Sequence, residues 1–443
     1  MSTMPDTPVC VYDIDLESAL PRLMRIGDAD DVRVLVRVHT HPIAFLAVAV
    51  PPEGLEPERL GEALAEVYPL AAAHLRADES AVLLSAVPTS AGTSPTGPEE
   101  PACLARRRKA VADGPAMTVL ISTRDRPESL LRCLDSIARL EYPHFDVVVV
   151  DNAPSTAATE RAVAAWQEAH SEVMVRYLAE TRAGAALAHN RGLAAVTGTW
   201  VVRTDDDVVV DPRWLSAIAE AIAEEPGVEC VTGLIVPAEV HTAAQRLLEE
   251  FGGYSRGFER RCFDMNGHRP AGDKLFPFTM GRVGSGANMA FDVARLRARG
   301  GFDVALGPGT VSRGGEDLFA LFQVITGGGR VVYEPGAVVW HWHRRDYGSL
   351  RRLVHAYGIG LAAYLTSAVV HEPRLFVAML RRAVPGARHA LARSSEKNRH
   401  KNVDYPRELE LIELLGMLRG PLAYLWSRRS RWRERSRPGR GSG

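Results

Sequence analysis

Three consecutive carboxylates, Asp205, Asp206 and Asp207, directly follow the apolar segment 200–203. That segment is typical of a buried strand, so the acids stand where the strand leaves its sheet. Burying adjacent carboxylates without a cation costs several kcal/mol each. Their oxygens are the ligands that Mg²⁺ and Mn²⁺ prefer. The cluster therefore predicts a divalent-metal site, with an exposed acidic turn as the alternative interpretation.

A second acidic pair, Glu316 and Asp317, follows Gly314 and Gly315 at the start of an apolar helical segment. A carboxylate held at such a position can remove a proton from an attacking hydroxyl group. The glycines let the backbone approach a substrate closely. The alternative is that both acids only favour the positive end of the helix dipole.

Two histidines, His341 and His343, follow the apolar segment 337–340. Strand alternation places both imidazoles on one face if the strand continues, so either one is able to complete a metal shell. A structural role is the alternative. Upstream, the stretch 284–289 reads GSGANM, and the amide of its Asn288 can hydrogen-bond sugar hydroxyls.

The elements that position these residues begin at about residue 117, where predicted strands alternate with predicted helices. This order predicts crossover units and a mainly parallel sheet. Such sheets bind ligands beyond the carboxyl ends of their strands. Three loops reach that edge, at 123–126, 151–155 and 205–207. We therefore expect one ligand cleft built from these loops.

The order of motifs from about residue 117 to about residue 345 resembles the family 2 glycosyltransferases. The motifs are STRDRPESLLRCLDSI, VVVVDNAPS, RAGAALAHNRGLAAVTG, VVRTDDDVVVDPRWL, GSGANMAF with GGFD, GGEDLFALFQVITGG and YEPGAVVWHWHR. The resemblance implies the GT-A type of α/β fold, a mixed and mainly parallel sheet with helices on both faces. The resemblance covers roughly half of the chain. Outside it, apolar segments predict a small N-terminal α/β unit and a helical C-terminal region.

The resemblance assigns roles to individual residues. It implies metal ligands at Asp205, Asp207 and His341, and a general base at Asp317 with Glu316 beside it. It implies contacts to the nucleotide sugar from the following residues: Thr123, Arg126, Asp151, Arg182, Asn190, Asp205, Asp206 and Asn288. The usual A-R-N triplet reads Ala188-His189-Asn190 here, so the chain departs from the family pattern at position 189.

The implied function is transfer of a sugar from a nucleoside-diphosphate sugar to a hydroxyl acceptor, with inversion and with Mn²⁺ or Mg²⁺. The acceptor classes in view are a polysaccharide, a lipid-linked glycan and a secondary metabolite. One alternative is nucleotidyl transfer, which predicts a glycine-rich first loop, whereas STRDRPE has no glycine. Another is a catalytically silent nucleotide-sugar-binding protein, which loss of the metal carboxylates or of the Glu316–Asp317 pair would signal. The motifs leave the sugar, the nucleotide, the acceptor and the linkage open.

The length of 443 residues exceeds what one hydrophobic core usually supports. The composition predicts five segments: a small N-terminal α/β domain at 1–86, a linker at 87–115, the catalytic domain at 116–346, a helical region at 347–426 and a basic disordered tail at 427–443. The basic run 106–109 is interpreted as the solvated end of the linker.

Composition also bears on partners and location. A formal net charge of -1 gives no global attraction to nucleic acid, and five scattered cysteines indicate neither a disulfide framework nor a zinc knuckle. The first residues lack a secretory pattern and the apolar stretch 359–370 is short for a membrane span, so we expect a cytoplasmic protein. The arginine-rich tail, with Trp426 and Trp432, predicts peripheral contact with the inner face of an anionic membrane. A solvated tail is the alternative, and a homo-oligomer remains open.

Overall fold

A computed structural model describes residues 11–25, 30–71, 100–382 and 405–436, with single positions between 385 and 401. Its N-terminal unit is a three-stranded sheet in the order β1-β2-β3, with β1 and β2 parallel and β2 and β3 antiparallel. A helix α1, a short 3-10 turn (Ala65–Val67) and a helix α2 complete the unit. The elements are β1 (Val11–Asp15), β2 (Asp31–Val38), β3 (His41–Ala49), α1 (Pro57–Leu64) and α2 (Tyr68–Ala71).

These elements match the small α/β unit expected at 1–86. The predicted strands at 32–38 and 43–50 are found as β2 and β3, whereas β1 was not predicted. The predicted helix at 60–75 begins earlier and is interrupted by the 3-10 turn. The first part of the predicted linker lies outside the described residues.

The second part of the predicted linker is a helix, α3 (Ala102–Ala112), and the linker prediction is wrong there. Its Arg107 is buried, which also corrects the expectation of a solvated basic run. Arg107 donates to Glu220 Oε2 at 3.1 Å and to Thr40 Oγ1 at 2.6 Å. The helix therefore joins the N-terminal unit to the rest of the protein, because one buried guanidinium bonds to both.

The central unit alternates strands and helices from residue 117 onward. Its elements are β4 (Met117–Thr123), α4 (Pro127–Ile137), β5 (Phe145–Asn152), α5 (Ala158–Ala169), β6 (Val175–Glu180), α6 (Ala185–Ala195), β7 (Trp200–Asp205), β8 (Val208–Val210), α7 (Trp214–Glu224), β9 (Val228–Pro237), α8 (Ala243–Glu250), β10 (Arg261–Phe263), β11 (Met289–Asp292), α9 (Val293–Ala298), α10 (Glu316–Thr326) and β12 (Arg330–His341).

The nine strands form one sheet in the order β10-β12-β9-β11-β7-β4-β5-β6, with β8 paired to β12. Strands β4, β5, β6, β7, β9 and β12 run in one direction and the other three run against them. Alternate residues of β4 and β5 enter two separate cores on opposite faces, each covered by helices. The predicted fold class, a mixed and mainly parallel α/β sheet with helices on both faces, is confirmed.

Three helices follow the sheet, which confirms the predicted helical C-terminal region. They are α11 (Tyr347–His371), α12 (Phe376–Arg381) and α13 (Arg407–Ser436). Helices α11 and α13 can pack closely because glycines lie at their contact. A side chain at Gly358, Gly416 or Gly420 would collide with the backbone of the neighbouring helix. Helix α13 continues to Ser436, so the start of the predicted disordered tail is helical; residues 437–443 lie outside the described part.

Helix α11 is 25 residues long and, by length and composition alone, apolar enough to be a candidate membrane span. The stretch recognised from the sequence, 359–370, is only part of it. Nearly half of the most apolar part of α11 is buried against the rest of the protein, including the core that holds Tyr364 and Ala368.

Candidate active site

The acidic cluster sits at the carboxyl end of β7, next to the end of β12. Asp205, Asp207 and His341 each offer one ligand atom, and these atoms lie within 4.8 Å of one another. The short strand β8 explains the meeting, because it pairs Val208 with His341 directly after the acids. His341 Nε2 lies 3.5 Å from Asp207 Oδ1. The three residues that the resemblance implied as metal ligands are thus brought together.

The two histidines have different neighbours. His341 Nδ1 lies 3.1 Å from His343 Nδ1, whereas His343 Nε2 lies 2.7 Å from Glu249 Oε1. His343 is therefore engaged away from the acids, and His341 is the histidine beside them. Burial lowers the pKa of His341 to about 4, so its imidazole is neutral and able to bind a metal at neutral pH.

Asp206 turns away from its two neighbours and is completely buried. Its Oδ2 accepts a 2.6 Å hydrogen bond from Thr123 Oγ1, and its Oδ1 forms a 2.5 Å ion pair with Arg126 Nη2. Arg126 also donates to Asp207 Oδ2 at 2.9 Å. Burial raises the pKa of Asp206 to about 7. Thr123 and Arg126 were expected at the base and ribose; their side chains instead hold the acidic turn, and Asp206 has no free face for a donor.

Asp151 lies at the end of β5, level with Thr123 of β4. Its carboxylate is buried, and Oδ2 accepts a 3.1 Å hydrogen bond from the Tyr177 hydroxyl. Within the described residues its Oδ1 has no hydrogen-bond partner. Burial raises the pKa of this carboxyl. A buried carboxylate oxygen in need of a donor at a strand end suits a ribose hydroxyl or a ring N–H, as the sequence predicts for Asp151.

The acidic pair at the start of α10 reaches the same site through two contacts. Asp317 Oδ2 accepts a 2.9 Å hydrogen bond from the Gly286 N–H, and its Oδ1 accepts from the Leu318 N–H at 2.8 Å. Glu316 is buried, and its Oε1 lies 3.3 Å from Arg203 Nη2. Burial raises the pKa of Glu316 to about 7. Asp317 is only partly buried, so of the two acids it is the one open to a substrate.

Arg203 is a functional residue that the sequence reasoning missed. Its buried guanidinium lies between the two acidic groups, because Nη2 is 3.3 Å from Glu316 Oε1 and 3.6 Å from Asp205 Oδ1. Its Nε and Nη1 have no hydrogen-bond partner among the described side chains and backbone. The available signal was a positive charge within the apolar strand that leads to the acids, VVRTDDD.

Position 189, where the chain departs from the family pattern, lies in the core below this site. His189 is fully buried, and its Nε2 lies 3.0 Å from Ser122 Oγ. Burial, together with the charge of Arg203, lowers the pKa of His189 well below its usual range. A neutral imidazole therefore stands where the family has a cation, and the cation near this position is Arg203.

Two of the residues expected to bind the donor are occupied by structural hydrogen bonds. Asn288 is buried, donates to the carbonyls of Leu234 and Ala337 at 3.0 and 2.8 Å, and accepts from Trp214 Nε1 at 2.8 Å. Asn190 exchanges two hydrogen bonds with the backbone of Phe302, at 2.7 and 2.9 Å. Both amides are engaged in hydrogen bonds within the fold, and their contacts with the donor stay predictions.

Arg182 lies on the loop after β6 and pairs with Glu180, Nε to Oε1 at 2.9 Å. Together with Arg191 and Asn190 it lines a cavity of about 510 Å³. None of the acids from the β7 and α10 ends lines this cavity. Arg182 therefore lies in a polar cavity that these acids do not line. A contact between Arg182 and a phosphate stays a prediction.

The fold and the cluster together define the class: an α/β sheet that carries acids and an imidazole at the carboxyl ends of its strands. Residues 118–284 match the family model "Glycosyl transferase family 2". The match ends before Asp317 and His341, whose assignment depends on the geometry above.

Two curated relatives illustrate the likeness. The chain is 28% identical over 228 residues to a pre-mycofactocin glycosyltransferase of Mycobacterium tuberculosis, covering 52% of this chain and 43% of that protein. It is 32% identical over 93 residues to the amylovoran biosynthesis glycosyltransferase AmsB of Erwinia amylovora, covering 21% of this chain and 31% of that protein. The chain thus spans less than half the length of these relatives.

Similar solved structures include the mannosyltransferase PcManGT of Pyrobaculum calidifontis, in complex with GDP-Man and Mn²⁺. It is 20% identical, has a TM-score of 0.42, and the match covers 76% of this chain and 83% of that one. GalNAc-T7 with UDP, GalNAc and Mn²⁺ is 16% identical with a TM-score of 0.41, covering 58% and 51% of the two chains.

Proposed function

We propose that this chain is an inverting glycosyltransferase that moves a sugar from a nucleoside-diphosphate sugar to a hydroxyl acceptor. The observation that carries the proposal is the meeting of Asp205, Asp207 and His341 within 4.8 Å, with the Glu316–Asp317 pair linked to Asp205 through Arg203. Asp205, Asp207 and His341 suit a metal ion that binds the diphosphate of the donor. Asp317 suits removal of a proton from the acceptor. Both chemistries are needed for this reaction.

The donor set fits Mn²⁺ or Mg²⁺. Two carboxylates supply hard oxygen ligands, and the imidazole of His341 is neutral because burial lowers its pKa to about 4. When bound, the ion neutralises charge on the departing nucleoside diphosphate. Arg126 partly screens the mutual repulsion of Asp206 and Asp207, which keeps the turn folded when the ion dissociates.

Asp317 is proposed as the general base. Its two oxygens are oriented by the N–H groups of Gly286 and Leu318, so the carboxylate has a fixed direction before substrate binds. It removes the acceptor hydroxyl proton as that oxygen attacks C1, and the diphosphate leaves from the opposite face. A base so placed typically supplies roughly 10² to 10⁴ in rate.

A nucleotidyltransferase remains the second enzyme candidate, and a silent nucleotide-sugar-binding protein remains the non-enzyme one. The first loop, residues 124–126, contains no glycine cradle for a triphosphate. The oriented Asp317 gives no advantage to a protein that only binds. Both observations favour glycosyl transfer. A cytoplasmic location is part of the same proposal.

The experiment is a thermal-shift panel of UDP, GDP, dTDP and CDP, each with and without Mn²⁺. We expect one base to raise the melting temperature only when metal is present, and Asp207→Ala to lose that shift. Asp113→Ala, an exposed acid at the end of α3, is the matched control and should keep it. A metal-independent shift, or none with any base, would contradict the proposed donor class.

A further inference from the structure

Helix α13 carries an exposed row of leucines that faces no other part of the described chain. The row consists of Leu411, Leu415, Leu418, Leu422 and Leu425, which are 45–76% exposed. Their spacing is four, three, four and three residues. A strict four-three repeat is the pattern of a coiled-coil seam, in which each side chain inserts between residues of a second helix. We call this row the leucine seam.

The opposite face of α13 is fixed against its own protein. Gly416 and Gly420 lie so close to α11 that no side chain fits there, and Tyr424 donates a 3.0 Å hydrogen bond to Asp303 Oδ2. Rotation of α13 to bury its leucines would break these contacts. The seam is therefore held outward, away from the rest of the described chain.

The charges of α13 are divided between its ends. Glu408 and Glu410 lie in its first turn, 2.7 Å from Arg351 and 3.6 Å from Lys401 of the same chain, whereas Arg428, Arg429 and Arg433 are exposed in its last turns. Two such helices placed side by side in parallel would set like charges against each other. In the antiparallel arrangement, the acidic end of one helix lies opposite the basic end of the other.

We propose that a second copy of this chain covers the leucine seam, through an antiparallel contact of two α13 helices. A two-fold axis near Leu418 sets Leu411 of one copy opposite Leu425 of the other, and Leu415 opposite Leu422. The same axis sets Glu408 and Glu410 close to the Arg428–Arg429 pair of the other copy. One axis thus pairs all five leucines with leucines of the other copy and sets both charged ends against opposite charges. This is the self-complementarity that a symmetric dimer requires.

An anionic membrane is the other surface that exposed leucines and arginines suit. The regular four-three spacing of the leucines argues against it, because a second helix requires such a register whereas a lipid surface does not. Arg431, in the last turns of α13, donates to the carbonyl oxygens of Ala183 and Val304 and so fixes this end of the helix to its own chain.

The first test is the mass of the full chain by light scattering after size-exclusion chromatography. We expect about twice the chain mass of 48.3 kDa, and a fall to one chain for Leu418→Glu, which places two charges together on the axis. Leu380→Glu, an equally exposed leucine on α12, should remain dimeric. A monomeric wild-type chain, or a dimeric Leu418→Glu, would overturn the proposal. Wild-type monomers that bind phosphatidylglycerol vesicles would replace it with the membrane.

The second test determines the direction of the helices by disulfide formation in a Cys10→Ser, Cys262→Ser background, which leaves only the buried Cys103, Cys133 and Cys230. Leu418→Cys should oxidise to a covalent dimer by itself. Leu411→Cys should not, but a mixture of Leu411→Cys with Leu425→Cys should. A covalent dimer of Leu411→Cys alone would mean parallel helices and would overturn the antiparallel arrangement. This test reads covalent mass and is independent of sugar transfer, so the proposed function can fail while the dimer stands.

Discussion

Three neighbouring aspartates perform two different tasks at the residue scale. Asp205 and Asp207 point toward His341, and Asp206 points into the protein, where Thr123 and Arg126 satisfy it. The reason is local geometry, because alternate residues at a strand end face opposite sides. A metal site needs only two of the three acids, and the third anchors the turn that presents them.

The role of Asp317 gives the first prediction. Asp317→Asn should lower the transfer rate by roughly 10² to 10⁴, because the amide cannot accept the hydroxyl proton. Donor affinity should change little, since the Gly286 N–H can still donate to the remaining carbonyl oxygen. Rates by product formation and affinities by thermal shift separate the two effects. Asp113→Asn serves as control, and an equal loss of donor binding would contradict the assignment.

Arg203 gives a prediction about stability. Arg203→Met should destabilise the metal-free protein by roughly 3–5 kcal/mol, because removal of one partner leaves buried charge without compensation. Glu316 and Asp205 are the groups left behind, at 3.3 and 3.6 Å from the lost nitrogen. Urea unfolding measures the change. Arg352→Met, an exposed arginine on α11, should leave the unfolding midpoint unchanged. Similar midpoints for both variants would show that Arg203 is not needed to hold the acids.

At the scale of elements, short segments decide which side chains meet. Strand β8 has only three residues, yet its pairing with β12 brings His341 beside Asp207. The loop after β10 works similarly around Asp264. Its Oδ1 accepts from the N–H groups of Asn266, Gly267 and His268, at 2.7–3.0 Å. Burial raises the pKa of Asp264, but the His268 imidazole, whose Nδ1 lies 2.7 Å from Oδ2, and these backbone N–H groups outweigh it and hold the pKa far below its usual range.

This loop yields a pH-dependent prediction. Because the folded pKa of Asp264 is lowered, its ionised form stabilises the protein above the unfolded pKa of about 4, and the contribution is lost as pH falls toward the folded value. Asp264→Asn should therefore be less stable than wild type at pH 7, by roughly 1–3 kcal/mol. The difference should narrow at about pH 3. Denaturant unfolding at both pH values measures it, and a difference that widens in acid would contradict the prediction.

At the scale of the whole molecule, buried ion pairs join the N-terminal unit to the central sheet. Arg37 pairs with Asp211 at 2.8 Å and with Asp13 at 2.7 Å, and all but Asp13 are buried. Leu35 of β2 packs with Leu234 and Val338 of the central sheet. The unit is thus a fixed part of the structure behind the sheet.

Loss of Arg107 should loosen this attachment. Arg107→Met removes the hydrogen bonds to Thr40 and Glu220, so hydrogen exchange in β2 and β3 should accelerate while exchange in β4 and β5 stays slow. Arg108→Met is the matched control, because Arg108 is exposed and pairs only with Glu100 within the described residues. Uniform acceleration across all four strands would indicate global destabilisation instead.

The sequence determined much of the central unit. Apolar runs of four to six residues followed by polar loops predicted β4, β5 and β7, since period and turn chemistry are local properties. The acids at 205–207, the Glu316–Asp317 pair and His341 were found because charged residues at the end of a buried strand or the start of a helix are conspicuous. Strands β4, β5 and β7 and the helical C-terminal region were therefore predictable from the sequence.

Only the tertiary structure decided what each polar side chain touches. Asn190 donates a hydrogen bond to the carbonyl of Phe302, 112 residues away along the chain. Asn288 donates to the carbonyls of Leu234 and Ala337, 54 and 49 residues away. Arg203 became part of the site because β7, α10 and the Gly286 loop converge on it. Hydrogen bonding across such separations depends on how the elements pack, and local patterns carry no record of it.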